Sequence, residues 1–349
     1  MAATITAPVP VTSGWLRGKT FDLTFVVGVA ALGLAAGAAL TYRPSLFRPL
    51  LVLDLWLLGY HHVVSTFTRL TFDAESFKAN KFLVLGLPWI VLAGVALAGY
   101  GAGAWLLTTL YFYWQGWHYA RQSYGVSRIY QRNAGANDRL ADYVIYSTAL
   151  CGVMFRSSQG PTHFLGAEFW AVPVPGWAAA LAGVLAAVLT LVWLARQARA
   201  FAERRAPTAH FLYVVTHVAV FAVGYVLIEE INHGWLVVNV WHNAQYILTV
   251  WLFNHNRFKG EVDPSHRFLS TLCRRGNFPL YILFCLGVST AFYLGLSAAL
   301  GAAAGGATAA TFPMLVGAYQ VINFHHYVVD AVIWKARKKS VRQNLGVAN

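Results

Sequence analysis

Charge is what this sequence is short of. Of its 349 residues only 26 are basic and 13 acidic, 11% together, where soluble domains carry about 25%. So few charges cannot cover a soluble fold of this length, which excludes soluble enzyme folds and disordered chains. Cysteine is scarce as well. Cys151, Cys273 and Cys285 form no CxxC pair, which excludes a disulfide framework and a zinc ribbon. Acidic residues are half as numerous as basic ones, giving a net charge of +13. The basic residues come in short clusters between long apolar runs. That is the signature of a membrane protein oriented by its loops, and it gives no reason to expect a nucleic-acid partner. Arg17 and Lys19 precede an apolar stretch of full membrane length, so the start reads as a first span and not as a cleaved signal.

What is present is apolar: 58% of the chain is aliphatic, aromatic or cysteine. A bilayer core needs roughly 20 helical residues per crossing. Ten stretches qualify: 21–42, 49–67, 82–100, 103–121, 140–155, 177–195, 208–229, 234–253, 278–300 and 311–334, the fifth being short and carrying Asp142. With ten spans, 23 of the 26 basic residues fall on one side and only Arg43, Arg48 and Arg156 on the other. Deleting the fifth span would put the cluster Arg196, Arg199, Arg204 and Arg205 on the wrong side. The expected fold is therefore one all-α integral-membrane domain over residues 1–349. It is a polytopic bundle of about ten spans with both termini cytoplasmic, in a bacterial cytoplasmic membrane. The turns near Gly101 and at Asn232–His233 make tight helical hairpins, residues 156–176 read as an interfacial loop, and the Ala/Gly-rich tract 298–310 as a permissive turn. Lys335, Arg337, Lys338 and Lys339 read as a cluster that sets topology and meets anionic lipid.

Chemistry concentrates on histidine. Four even-numbered spans carry an aromatic residue followed directly by histidine: Tyr60-His61-His62, Trp117-His118, Trp241-His242 and Phe324-His325-His326. Even-numbered spans all run the same way, so the motifs share a direction. Ionisable side chains inside spans are costly and usually functional. Neutral imidazoles suit iron, copper or zinc, and His61, His62, His118, His242, His325 and His326 are the expected metal ligands. Asp54, two turns before His61, and Asp330, one turn after His326, are placed to orient them or, for Asp330, to ligate. Adjacent histidines diverge by about 100° on a helix, so one of each pair serves a second ion or an outer position. Counted back from the first basic residue after each motif, His118 lies only about 4–5 Å deep and His242 about 22 Å. One site then requires span four to continue as helix past Gln122 and Tyr124. His217 is deep enough to join the cluster, whereas His255 is about 20 Å from His242 and His266 is a loop residue.

No HExxH glutamate accompanies the histidines, which favours iron and oxidation over zinc and hydrolysis. At these residues the chain resembles the histidine-rich, non-haem iron membrane oxygenases, namely the carotene-cleaving dioxygenase and the membrane desaturase–hydroxylase groups. The HxxxH and HxxHH boxes of the second group are absent. The resemblance implies iron ligation by the six histidines, with one or two ions. The expected function is a metal-dependent oxidoreductase acting on a lipid-soluble substrate, with an electron-donor protein as partner. Arg121 and Gln122, beside His118, would meet a polar substrate head. The alternatives are a bis-histidine haem electron carrier, a copper centre, or a proton-coupled or metal transporter. Gly/Pro breaks near the histidines are few apart from Gly59 and Gly116, which weighs against transport.

Overall fold

The computed structural model describes residues 14–72, 74–306, 308–335 and 338–345, with the side chains of 308–313 left aside. Arg337, Ala307 and residues 1–13 lie outside the described part. Ten long helices occupy the ten expected stretches: α1 Lys19–Tyr42, α2 Pro44–Leu70, α3 Lys81–Gly101, α4 Ala104–Asn133, α5 Arg139–Ser158, α6 Gly176–Ala202, α7 Thr208–Leu227, α8 Ile231–Arg257, α9 Arg275–Ala303 and α10 Thr308–Ile333. Six of them (α1, α2, α3, α6, α7 and α9) are long and apolar enough to cross a membrane. α4, α5, α8 and α10 are as long but more polar.

The difference is one of position. α8 is buried almost continuously from Gly234 to Asn254, polar side chains included. α6 shows the opposite, with only Ala179, Ala186, Trp193 and Gln197 buried. An apolar outer shell thus surrounds helices that keep their polar groups inside. α1 approaches α8 through small residues. A Cβ on Gly33 would stand 2.7 Å from the Val237 carbonyl, and one on Gly37 would meet the Val237 side chain at 2.6 Å. Such close approach replaces hydrophobic drive as the source of helix association in an apolar medium.

Three helices contain a π turn: Thr24–Gly28 in α1, Leu55–Gly59 in α2 and Val223–Leu227 in α7. A π turn leaves carbonyls without their usual partner. At the end of α7 they are met by the buried Arg156 guanidinium, which donates to the carbonyls of Gly224 (3.1 Å), Ile228 and Glu229 (2.7 Å). α5 starts on Asp138, which accepts from the Ala141 amide and also from Trp193 and Gln197 of α6.

Two expectations change. Residues 156–176 are not merely an interfacial loop. They fold into a small antiparallel hairpin, β1 His163–Phe164 and β2 Ala167–Glu168. Leu165 and Gly166 at its tip both take positive φ, as a two-residue hairpin turn requires. Its Phe164 is fully buried and Phe169 nearly so, against Phe112 and Trp235. Asn232 and His233 are not a turn either. They form the first turn of α8, where Glu230 accepts from the His233 amide at 2.6 Å. At the opposite end of the bundle both described chain ends pack down: Asn133 bonds the Trp15 carbonyl and Asn256 that of Asn344. Arg69, Arg132 and Arg257 lie in the last turns of α2, α4 and α8 there, and Lys335 follows the end of α10. We refer to it as the basic end.

Replacing Gly33 by alanine forces α1 away from α8 and is expected to cost about 1–3 kcal/mol. Gly94→Ala, where a Cβ meets nothing within 4 Å, is expected to be neutral. Denaturation curves of the two variants check this, and equal stability would contradict the close packing.

Candidate metal centre

α2, α4, α8 and α10 run in one direction, because contacts between them advance together. His62 meets His242 and His326, Thr66 meets Tyr246, and Arg69 bonds the Ile333 carbonyl at 2.7 Å. On α4, Gln115 and Tyr119 bond Asn239 while His118 packs on His242. The shared direction brings one histidine from each helix to a common point.

These are His62, His118, His242 and His326, all buried. Their ring centroids are 4.7 Å apart for His62–His326, 5.0 Å for His118–His242, 5.2 Å for His118–His326 and 5.6 Å for His62–His242. His62 Nε2 and His326 Nε2 lie 3.2 Å apart. Asp330 adds a carboxylate, with Oδ2 at 3.5 Å from His326 Nε2 and 3.7 Å from His118 Nε2. Ligand atoms of His62, His242 and His326 lie within 4.8 Å of one another, as do those of His118, His326 and Asp330, and either set can hold a metal ion. Ligands 2.0–2.2 Å from one ion stand roughly 3–4 Å apart, so small side-chain adjustments close the gap. Nδ1 of His62, Nε2 of His118 and Nδ1 of His242 are buried without a hydrogen-bond partner. Each such orphan costs on the order of 1–3 kcal/mol, and a cation beside His118 Nε2, the atom that faces Asp330, would offset the cost there.

The surroundings hold the ligands in place. The Tyr246 hydroxyl donates to Asp330 Oδ1 at 2.6 Å and accepts from Trp334 Nε1 at 3.0 Å. Thr66 Oγ1 lies 2.9 Å from that hydroxyl and 3.4 Å from His326 Nδ1. With the His326 proton on Nδ1, donated to Thr66 Oγ1, Nε2 would keep its lone pair for the cluster. The Arg69 guanidinium sits 3.9 Å from the Trp334 ring and 4.1 Å from Phe253, closing the floor at the basic end.

The other candidate residues go elsewhere. His61 Nδ1 donates to the Leu57 carbonyl of its own helix at 3.2 Å, and His325 Nε2 donates to the Leu83 carbonyl of α3 at 2.7 Å. Each His-His pair thus divides into one cluster member and one outward residue. Asp54 touches no histidine; it accepts from Asn239 at 2.5 Å and Asn243 at 3.4 Å. Seven residues bring an α-helix back to the same face, but the π turn Leu55–Gly59 adds about one residue per turn. The face that Asp54 shows to α8 is therefore regained at His62 and not at His61. His118 reaches the depth of His242 because α4 runs to Asn133, leaving both fifteen residues from the ends of their helices. Arg121 donates to the Tyr146 hydroxyl at 2.7 Å, and both amide atoms of Gln122 are buried without a partner. His217 is held by Ser123 and Thr148 and stays out of the cluster. His255 bonds Arg17 and the Cys273 carbonyl. His266 bonds Asp263, whose carboxyl it holds below the usual carboxylate range. Thr66, Arg69 and Trp334 were not singled out by sequence; only the spacing of Thr66 and Arg69, one and two turns after His62, hinted at them.

Two cavities flank the cluster. One, of about 290 Å³, is reached by His62 and His242 and covered by Phe164 and Leu165 of the hairpin. The other, of about 270 Å³, is reached by His118, Tyr246 and Asp330 from the basic end. Tyr327, stacked 4.6 Å over His118, borders both.

Neighbouring residues give the sharpest contrast. His326→Ala is expected to lower bound transition metal per purified protein by about tenfold or more, whereas His325→Ala leaves it unchanged, as read by elemental analysis. Equal metal in both variants would contradict the assignment. No family model, no curated protein and no solved structure matches the chain, so a functional reading rests on its own residues and their geometry.

Proposed function

We propose that this chain is an integral-membrane, metal-dependent oxidoreductase whose non-haem iron is held by His62, His118, His242 and His326 with Asp330 beside them. The observation that carries the reading is the convergence of four imidazoles from four co-directional helices, with unpartnered nitrogens, between two cavities. Iron, when bound in such a set, supplies binding and polarisation of dioxygen. A haem between two of these histidines is disfavoured: Nε2 atoms 3.2 Å apart leave no room for a porphyrin between them. Zinc hydrolysis is disfavoured because Asp330 and Asp54, the carboxylates nearest the histidines, are held by Tyr246 and by two asparagines.

The cavity under the hairpin suits a lipid-soluble substrate such as a carotenoid, acyl chain or polyprenoid. Its walls are largely apolar, with Tyr60 stacked 3.8 Å on Tyr293 at one side and Leu51, Leu55 and Trp235 elsewhere. Tyr119 and Asn239, hydrogen-bonded to each other, border the same space, and Asn239 donates onward to Asp54. In this reading all ten helices span a bacterial cytoplasmic membrane, α4, α5, α8 and α10 being shielded by the apolar six. The basic end faces the cytoplasm, where an electron-donor protein would dock.

One observation favours a second reading, a transition-metal conduit: cavities approach the cluster from both sides. The two readings separate by experiment. Anaerobic Fe(II)-loaded protein exposed to nitric oxide is expected to give the half-integer-spin signal of a non-haem iron nitrosyl, lost in His242→Ala. Absence of that signal, together with metal flux through the protein in sealed vesicles, would overturn the oxidoreductase reading.

A further inference from the structure

The cavity at the basic end differs in kind from the one under the hairpin. Four cationic residues border it: Arg121, Arg128, Arg132 and Lys335. Arg128 is compensated, pairing with Asp142 at 3.4 Å and bonding Gln131 and Asn137. Arg121 is not. Its hydrogen bond goes to a neutral phenol, and it makes no ion pair among the described residues. Gln122, one position on, keeps both amide atoms buried without partners at the same cavity. A buried amide left unsatisfied is uncommon, and its N–H donors await an acceptor. The single carboxylate that borders the cavity, Asp330, is already bonded by Tyr246 and directed at His118 and His326. The remaining walls are mostly apolar, aromatic at Trp114, Trp117 and Trp334 and aliphatic at Val126, Ile129 and Leu345.

From this juxtaposition we propose that the basic-end cavity is a binding site for an anionic amphiphile, a phosphate or carboxylate group carried on an apolar chain. The anionic group is held at the mouth by Arg121 and Lys335 and oriented by Gln122, while the chain lies along the tryptophan wall. Guanidinium suits either anion through paired N–H donors. The aromatic wall selects an amphiphile over a free inorganic ion, because an inorganic ion would leave that wall wet. The site stands whether or not the histidine cluster holds iron.

The test uses the full chain in phosphatidylcholine nanodiscs doped with 12-bromododecyl phosphate or 12-bromododecanol, reading tryptophan quenching by the bromine. The phosphate is expected to act at about tenfold lower content than the alcohol. The double variant Arg121→Gln, Lys335→Gln is expected to abolish that advantage, and Gln122→Leu to reduce it. Arg43→Gln, at the opposite end, is expected to keep it, and unchanged melting of each variant separates loss of the site from loss of the fold. Equal quenching by phosphate and alcohol in the wild type would overturn the proposal, as would full retention in the double variant. Relief of quenching by millimolar inorganic phosphate would assign the site to a water-borne anion and overturn the amphiphile. Metal content is unaffected by these outcomes, so failure here is distinguishable from failure of the iron reading.

Discussion

A medium without water cannot solvate an imidazole, an asparagine or a carboxylate, so every polar group placed in it must find a partner within the bundle. That constraint organises the molecule. The most polar long helices, α4, α8 and α10, sit inside, and their side chains bond one another: Gln115 and Tyr119 with Asn239, Tyr246 with Asp330, Trp334 with Tyr246. Of the six helices long and apolar enough to cross a membrane, α3, α6 and α9 are the least buried, whereas α2 brings His62 into the interior. α8 serves as the post on which this depends, and α1 can seal it only because Gly33 and Gly37 allow backbone-distance contact. Three of the buried nitrogens left without a partner, on His62, His118 and His242, belong to the histidine cluster.

Much of this was legible in the sequence, for physical reasons. Runs of about twenty apolar residues have few alternatives to a helix, and helices occupy all ten expected stretches, six of them long and apolar enough to cross a membrane. The recurring aromatic-histidine pairs on alternate spans also pointed at the right helices, since alternate spans must run the same way. What the pattern does not encode is rotation about a helix axis. It could not divide His61 from His62 or His325 from His326, because that choice depends on which neighbour a face meets. For α2 the π turn at Leu55–Gly59 decides it, moving the face of Asp54 onto His62. Depth was likewise misjudged where charge marked it. Arg121 stands three residues after His118, but α4 continues twelve residues beyond Arg121, so the charge does not mark the helix end. The hairpin at 163–168 escaped notice because its strands are two residues each and its buried aromatics look like interfacial ones.

The two cavities give the cluster a division of labour. The one under the hairpin presents His62 and His242 to an apolar space; the one at the basic end presents His118 and Asp330 to a cationic, aromatic-walled space. In the functional reading and the further inference proposed above, a hydrophobic reactant and an anionic amphiphile would approach the same group of imidazoles from opposite sides. Tyr327 and the imidazoles themselves form the wall between them. Thr66, Tyr246, Trp334 and Arg69 form a continuous polar and aromatic support from His326 towards the basic end.

The central claim is that imidazoles from four different helices bind one metal. X-ray absorption on the iron-loaded, full-length protein tests it most directly. The geometry predicts a nearest shell of nitrogen and oxygen at about 2.0–2.2 Å with the outer-shell scattering of three or four imidazoles. A metal shell without imidazole scattering, or with the rigid four-nitrogen pattern of a porphyrin, would contradict it.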